Sequence, residues 1–213
     1  MSSQPNEFTL RSFLAQVEQK QPKDILRFKQ RIGLDYDATA IALELERGRA
    51  WQAPVLWFDD VDGSEFPVVT NVFATRGRYA MALGVEEERL IEAWAERGDR
   101  MLEPVLHDKG PVQEVVYRGA DVDLARIPIK KHFERDGGRY ITNGIIIAKD
   151  PETGVRNASH HRMMVKGRTR LGTSLHSRRH LWDYVRRAEE LKKEIPIAIV
   201  IGGHPLMTFA GLW

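Results

Sequence analysis

Five of the seven histidines in the 213-residue sequence lie between positions 160 and 204. An imidazole binds divalent metals through one ring nitrogen and exchanges protons near neutral pH, so chemistry is most expected in this segment. The sequence contains no cysteine. Disulfides, thiolate metal sites and cysteine nucleophiles are therefore excluded, and any metal would need histidine, asparagine or carboxylate ligands.

Polar side chains alternate along one predicted strand of this segment. One face of the strand would carry Asn157, Ser159 and His161, and the other His160 and Arg162, provided that no bulge intervenes. Such a strand can line an anion or metal site, with Arg162 as a planar fork for a carboxylate or phosphate. The alternative is an edge strand whose polar side chains are solvated, and spacing alone does not decide between the two.

A basic motif precedes the next predicted helix. The run Ser-Arg-Arg-His at 177–180 would bring backbone N–H groups and two guanidinium groups to a position where they could bind a phosphate. His180 can ligate a metal through one ring nitrogen. A histidine near a helix start is, however, more often structural or solvent-exposed.

Basic residues are unevenly distributed along the chain. Residues 126–187 contain 15 lysines and arginines and five acidic residues, residues 1–125 contain 15 and 22, and the net charge is +2. The natural partner of the basic segment is an anion, and a solvated basic face is the alternative. Its aromatic residues are too few for a nucleic-acid stacking platform, so no nucleic-acid partner is expected.

Composition narrows the class of protein. The chain is 42% hydrophobic and 29% charged, which is typical of a soluble globular protein. No apolar run approaches the ~20 residues of a membrane-spanning helix, and the N-terminus lacks the basic-then-apolar layout of a signal peptide. We therefore expect a cytoplasmic protein without a membrane partner.

The first 105 residues are predicted to form a small α/β domain without a catalytic constellation. Apolar spacing predicts four helices, at residues 8–17, 37–47, 79–83 and 86–100. Thr9 is placed as an N-cap, and Gly48 and Gly84 as C-caps. Two strands, joined as a hairpin by Asp62-Gly63, are predicted at 54–59 and 66–73.

The remainder of the chain has longer and more basic predicted strands. These strands are expected at 141–149, 155–167, 171–174 and 195–201. A turn at 150–154 joins the first two, and a helix is expected at 181–193. The strand at 195–201 is predicted to be buried because of its apolar composition.

The order of these motifs resembles a known family. The strand at 141–149, the turn after it and the run 155–167 resemble the central signature of the UbiD-type decarboxylases, which use prenylated FMN (prFMN). Residues 8–14, segments within 55–84, and residues 197–203 are similar to further parts of the same family.

The resemblance implies a two-part α+β fold. A small N-terminal α/β domain, residues 1–105, would be followed by an incomplete flavin-reductase-like split β-barrel domain that binds prFMN, residues 106–213. Family members are considerably longer, so we expect this chain to be the N-terminal part of such an enzyme. A C-terminal partner segment or a homo-oligomer would complete it. The third metal ligand, a glutamate, and the acidic proton donor are expected beyond position 213.

The resemblance also assigns site residues. Asn157 and His180 would ligate a divalent metal, usually manganese, that bridges to the flavin phosphate, and these ligand types suit that ion. Arg162 would be the catalytic residue that binds the substrate carboxylate. The positions implied to contact the cofactor are Asn157, His160, His161, Arg162, Ser174, Leu175, His176, Arg179 and His180.

The implied activity is reversible, non-oxidative decarboxylation of an aromatic or α,β-unsaturated carboxylic acid, with prFMN, Mn²⁺ and K⁺ as cofactors. The flavin accepts the electrons released as carbon dioxide leaves, and the protein contributes positioning and charge. A flavin prenyltransferase is the expected supplier of the cofactor. The alternative is a non-catalytic flavin- or phosphate-binding subunit or scaffold of a split enzyme.

Overall fold

In the computed structural model, the described residues are 8–47, 53–100, 102–176 and 178–212. Within these ranges the chain forms six α-helices and three separate three-stranded sheets. None of these helices combines the length and the apolar composition that crossing a bilayer requires.

Helices outnumber strands in the first half of the chain, and strands outnumber helices in the second. The helices are α1 (Leu10–Lys20), α2 (Asp37–Glu46), α3 (Arg76–Leu83), α4 (Leu90–Gly98), α5 (His180–Glu190) and α6 (Pro205–Ala210). The strands are β1 (Ile25–Phe28), β2 (Val55–Phe58), β3 (Val68–Thr70), β4 (Tyr140–Ile141), β5 (Ile145–Lys149), β6 (Arg156–His160), β7 (Met163–Gly167), β8 (Arg170–Thr173) and β9 (Ile197–Val200).

The first sheet is covered by a helix on each face. Its central strand, β2, pairs in parallel with β1 and antiparallel with β3, which confirms the predicted hairpin. Successive side chains of β2 point to opposite faces, so Val55 packs with α1 while Leu56 and Phe58 pack with α2. Strand β1 is not predicted from the sequence, because four residues between charged neighbours carry too weak a pattern.

Several predicted end signals are confirmed. The Thr9 hydroxyl accepts the Ser12 N–H at 3.0 Å and caps α1, and Gly84 ends α3 with a φ of 69°. The long helix predicted after Gly84 begins instead as a 3-10 turn, Glu87–Arg89, before α4. The C-cap predicted at Gly48 lies outside the described residues.

A fully buried arginine lies at the centre of the first half. Arg78, on α3, donates to the carbonyl oxygens of Val72 at 3.0 Å, Asn71 at 3.1 Å and Ala53 at 2.5 Å. Its Nη1 atom lies 3.5 Å from a carboxylate oxygen of Asp24. Burial lowers the pKa of the guanidinium, and the Asp24 charge opposes that shift. One side chain thus satisfies three carbonyl groups that no regular secondary structure pairs.

The two long strands predicted in the second half are each broken, so the prediction of continuous strands is wrong. The segment 141–149 divides into β4 and β5, and 155–167 divides into β6 and β7; each break moves the chain to a different sheet. At the first break, a Cβ on Gly144 would lie 2.5 Å from Met163 Cε and 2.8 Å from Ile141 Cγ2. A side chain at this position would therefore displace the Met163 and Ile141 side chains where the two sheets approach each other.

Strand β9 corresponds to the strand predicted at 195–201, but the prediction that it is buried is wrong. It pairs with β5 along one edge, and within the described residues no strand pairs with its other edge. Ile197 and Ile201 are 48% and 47% exposed. An apolar composition indicates burial only when neighbouring elements cover the strand, and those described here leave much of β9 open.

Helix α6 attaches the end of the chain to the first half. The Phe209 ring stacks on Trp94 with centroids 3.8 Å apart and lies 4.9 Å from the Tyr79 ring. At the start of α6, the His204 ring meets Phe13 edge-on at 5.8 Å, and burial lowers its pKa. His204 therefore has a packing role, although it belongs to the histidine-rich segment.

A buried carboxylate joins the predicted 150–154 turn to α5. Asp150 Oδ1 accepts the N–H groups of Glu152 at 2.9 Å and Thr153 at 3.4 Å, and Oδ2 accepts from the Arg187 guanidinium. The backbone hydrogen bond from Glu152 is the main cause that lowers the pKa of Asp150, and Arg187 adds to it. The turn is confirmed, and this contact fixes α5 relative to the β5–β6 hairpin.

We expect Asp150→Asn to lower the melting temperature at pH 7, because the charged acceptor for Arg187 is lost. A carboxyl whose pKa is lower when folded stabilises the protein above its unfolded pKa, and that contribution disappears as pH falls through the folded value. The difference in melting temperature between wild type and variant should therefore shrink below about pH 4. Thermal unfolding at pH 7 and pH 3 measures it. Glu152→Gln, at an exposed carboxylate, is the matched control.

Candidate active site

The two predicted metal ligands meet where β6 faces the start of α5. Asn157 lies on β6, and His180 is the first residue of α5. The His180 Nδ1–H donates to the Asn157 side-chain oxygen at 3.0 Å. Residues 23 positions apart in sequence are adjacent because the β7–β8 hairpin returns the chain to β6 before α5 begins.

Asn157 is also bonded along its own strand. Its side-chain N–H donates to Ser159 Oγ at 3.0 Å, and Ser159 Oγ lies 3.0 Å from His161 Nε2. The sequence pattern predicts these three side chains on one face, and the hydrogen bonds confirm that arrangement. Burial lowers the pKa of His161, and the electrostatic effects of the neighbouring His160 and Arg179 lower it further. His161 is therefore neutral at pH 7 and able to accept a hydrogen bond.

Arg162 occupies the bend between β6 and β7. Its backbone carbonyl accepts the Thr173 hydroxyl at 3.2 Å, which ties the bend to the end of β8. The residue is exposed, and its guanidinium forms no ion pair within the described ranges. An exposed guanidinium on a tethered backbone is available to bind a carboxylate or phosphate.

The loop between β8 and α5 supplies the remaining predicted contacts. Ser174 and His176 are exposed, and their side chains are hydrogen-bonded to each other at 2.8 Å. Leu175 packs against the hydrophobic core formed by the second half of the chain. Arg179 is the residue before α5. Ser177, part of the predicted phosphate-binding motif, lies outside the described residues. The loop thus brings polar and basic side chains near the N-terminus of α5.

His160 points away from this group. Its Nε2–H donates to the carbonyl oxygen of Thr208 in α6 at 2.7 Å, on the opposite face of β6 from Asn157. Its predicted contact with a cofactor stays a prediction, and the structure assigns the ring a packing partner instead. The bond links β6 to α6 and, through Phe209, to the first half of the chain.

The donor set fits a hard divalent cation and a phosphate. An amide oxygen and an imidazole nitrogen suit Mn²⁺, and their 3.0 Å separation lets one ion bind both after the imidazole proton leaves. The N–H groups at the start of the 11-residue α5 suit an anion. Among the described residues, no group of three histidine, aspartate or glutamate side chains forms a complete metal site.

Comparison with known families identifies the chain. Residues 103–213 match the 3-octaprenyl-4-hydroxybenzoate carboxy-lyase Rift-related domain, and residues 18–98 match the N-terminal domain of the same carboxy-lyase. The chain belongs to the UbiD family. The resemblance stated from the sequence is confirmed, and UbiD membership accounts for the mixed helix-and-strand fold with small sheets.

Curated and solved relatives agree with this assignment. Anhydromevalonate phosphate decarboxylase of Methanothermobacter thermautotrophicus is 34% identical over 209 residues, 94% of this chain and 44% of that protein. An evolved dimeric form of the UbiD-class enzyme HmfF from Pelotomaculum thermopropionicum, in complex with prFMN, matches with a TM-score of 0.84 and 34% identity. That match covers 93% of this chain and 45% of HmfF.

A third relative shows the same coverage. Vanillic acid decarboxylase of Sedimentibacter hydroxybenzoicus, in its closed form, matches with a TM-score of 0.85 and 27% identity, over 99% of this chain and 45% of the relative. The chain therefore spans somewhat less than half the length of these UbiD proteins.

The predicted list of site residues omits two contacts that position the candidate metal ligands. Ser159 connects Asn157 to His161, and the Asp150–Arg187 contact holds the helix that carries His180. The alternation of side chains along the strand does indicate that Ser159 lies on the same face as Asn157. No sequence signal pairs Asp150 with Arg187, because their contact depends on how α5 packs on the hairpin.

Proposed function

We propose that this chain is the N-terminal part of a prFMN-dependent decarboxylase acting on an aromatic or α,β-unsaturated carboxylic acid. The observation that carries the proposal is the convergence of Asn157 and His180 at 3.0 Å on the same side of β6 as the neutral His161. Family membership supports it, and so do relatives whose names include decarboxylases of anhydromevalonate phosphate and vanillic acid.

Each residue has a defined part in the proposed reaction. Asn157 and His180 would hold Mn²⁺, and the N–H groups at the start of α5 with Arg179 would bind the flavin phosphate. Bound prFMN would supply the electron sink for the loss of carbon dioxide. Arg162 would bind and orient the substrate carboxylate. The proton donor and the third metal ligand would come from polypeptide that follows this chain in the family.

The finer organisation belongs to the same proposal. Residues 1–105 would form the N-terminal domain, and residues 106–213 would contribute strands to a flavin-reductase-like split β-barrel. A C-terminal partner segment or a homo-oligomer would complete the barrel, with K⁺ as a second ion and a flavin prenyltransferase as the cofactor supplier. The prediction of a cytoplasmic enzyme is part of this proposal.

Native mass spectrometry with an absorption spectrum tests the proposal, with Mn²⁺ and prFMN supplied to the chain. We expect retention of both, and loss of manganese in Asn157→Ala and His180→Ala. His107→Ala, which removes an exposed imidazole outside the site, is the matched control. Equal manganese retention by the wild type and both ligand variants would contradict the assignment. Retention only after a C-terminal segment is added would assign the rest of the site to that segment.

Retention of flavin without decarboxylation would favour the second candidate, a non-catalytic flavin- or phosphate-binding subunit. The observation that favours this candidate is the exposed Arg162, whose guanidinium meets no carboxylate within the described ranges. Carbon dioxide release from a panel of unsaturated acids, measured with a C-terminal partner segment present, distinguishes the two functions.

A further inference from the structure

Ser159 forms hydrogen bonds with two side chains on its own face of β6. Its hydroxyl oxygen lies 3.0 Å from the Asn157 side-chain nitrogen and 3.0 Å from His161 Nε2. We propose that Ser159 is a positioning residue that holds the Asn157 carboxamide with its oxygen directed toward His180, the orientation that a bound cation requires. This inference rests on the proposed function, because it concerns the same metal site.

A carboxamide needs such a device because its two ends differ chemically. The oxygen accepts and can bind a cation, whereas the nitrogen carries two protons and can only donate. Rotation about the last side-chain bond of asparagine exchanges the two ends, and this torsion is only weakly restricted. A fixed acceptor beside the nitrogen therefore selects the orientation that metal binding requires. Ser159 Oγ is at hydrogen-bonding distance from that nitrogen.

The donor-to-acceptor directions of the hydrogen bonds from Asn157 through Ser159 to His161 are consistent with this role. The Asn157 N–H donates to Ser159 Oγ, so the single hydroxyl proton is free to be donated to His161 Nε2. That bond requires a neutral imidazole with its proton on Nδ1. Burial, with the electrostatic effects of His160 and Arg179, lowers the pKa of His161, which favours the neutral form. With its proton on Nδ1, His161 would accept the Ser159 hydroxyl proton and so fix the direction in which that hydroxyl points.

A second serine–histidine pair with the same spacing shows that spacing alone does not create this role. Ser174 Oγ lies 2.8 Å from His176 Nε2, but both residues are exposed. Neither of them forms a side-chain bond to Asn157 within the described ranges. What distinguishes Ser159 is its bond to a residue that also meets His180.

Nuclear magnetic resonance of the chain during titration with Mn²⁺ tests the proposal, with Mg²⁺ as the diamagnetic reference. Paramagnetic broadening of the Asn157 and His180 side-chain signals reports binding even when the affinity is weak. We expect Ser159→Ala to weaken Mn²⁺ binding by about 10- to 100-fold, the usual effect of removing a group that orients a ligand. Ser159→Thr keeps a hydroxyl on a strand and should restore binding to within about threefold of the wild type.

The nitrogen signals of His161 give a readout that does not depend on the metal. In the wild type, Nε2 should be unprotonated and hydrogen-bonded, and this signature should disappear in Ser159→Ala and return in Ser159→Thr. Equal Mn²⁺ midpoints for the wild type and Ser159→Ala would overturn the role of Ser159 while leaving the metal site intact. No broadening in the wild type, either alone or with a C-terminal segment added, or none that depends on Asn157, would overturn the proposed metal site and this inference together.

Discussion

Replacement of Arg162 by alanine is expected to lower decarboxylation by about a hundredfold or more while flavin binding is largely kept. The guanidinium is exposed on the bend after β6 and forms no ion pair within the described ranges, so removing it leaves no protein charge unpaired. The loss should therefore appear in turnover, because the substrate carboxylate would lose the charged fork that orients it.

Carbon dioxide release from aromatic and α,β-unsaturated acids, with the C-terminal partner segment present, measures this effect. Arg162→Lys retains the charge but not the planar fork, so it should recover only part of the activity. Arg170→Ala removes another exposed arginine, on β8, and should leave turnover near the wild-type value. Unchanged turnover in Arg162→Ala would reject the role of Arg162. Complete loss of flavin in that variant would instead make Arg162 a cofactor ligand.

Arg78→Met is expected to lower the free energy of unfolding by about 3 to 5 kcal/mol. Methionine has a similar length but no donors, so the carbonyl groups of Val72 and Ala53 would lose their guanidinium donors, and that of Asn71 would keep only the Ala74 N–H at 3.2 Å. For a chain of this length the corresponding decrease in melting temperature is roughly 10 °C. Calorimetry or thermal circular dichroism provides the measurement.

Two variants separate this effect from a general effect of charge. Arg76→Met removes an exposed arginine from the same helix, where its guanidinium lies 3.6 Å from Glu87, and should change stability by less than about 1 kcal/mol. Arg78→Lys keeps the charge but cannot reach three carbonyl groups at once, so it should remain strongly destabilised. A melting temperature for Arg78→Met close to that of Arg76→Met would contradict the role of the buried guanidinium.

The parts of the fold that are predictable from sequence depend on local geometry. Thr9 caps a helix and Gly84 ends one because the side-chain oxygen and the absent Cβ act on the nearest backbone. The turn at 150–154 follows equally local rules, with Gly154 at a φ of 73°. Such signals require no knowledge of the tertiary structure.

The errors arise where distant parts of the chain decide the outcome. Side chains alternate through residues 155–167 whether the strand continues in one sheet or passes into another. The break at Arg162 therefore cannot be detected from the sequence pattern. The exposure of β9 likewise depends on which elements cover the strand. Burial and orientation at these positions are properties of the packing.

The positions of the candidate site residues could be predicted from different kinds of sequence information. Alternation indicates that Asn157, Ser159 and His161 share a face, as their hydrogen bonds confirm. The pairing of Asn157 with His180 was available only from the resemblance to a family, because a separation of 23 positions in sequence carries no distance information. Structure adds the contacts that orient these ligands, which neither pattern nor resemblance provides.

A strand of isoleucine, alanine and valine with one unpaired edge is a template for another polypeptide. Within Ile197–Val200 there is no lysine, proline or bulge of the kind that keeps natural edges apart, and the described residues leave that edge uncovered. The free N–H and C=O groups of that edge are therefore positioned to accept a further strand in a defined register.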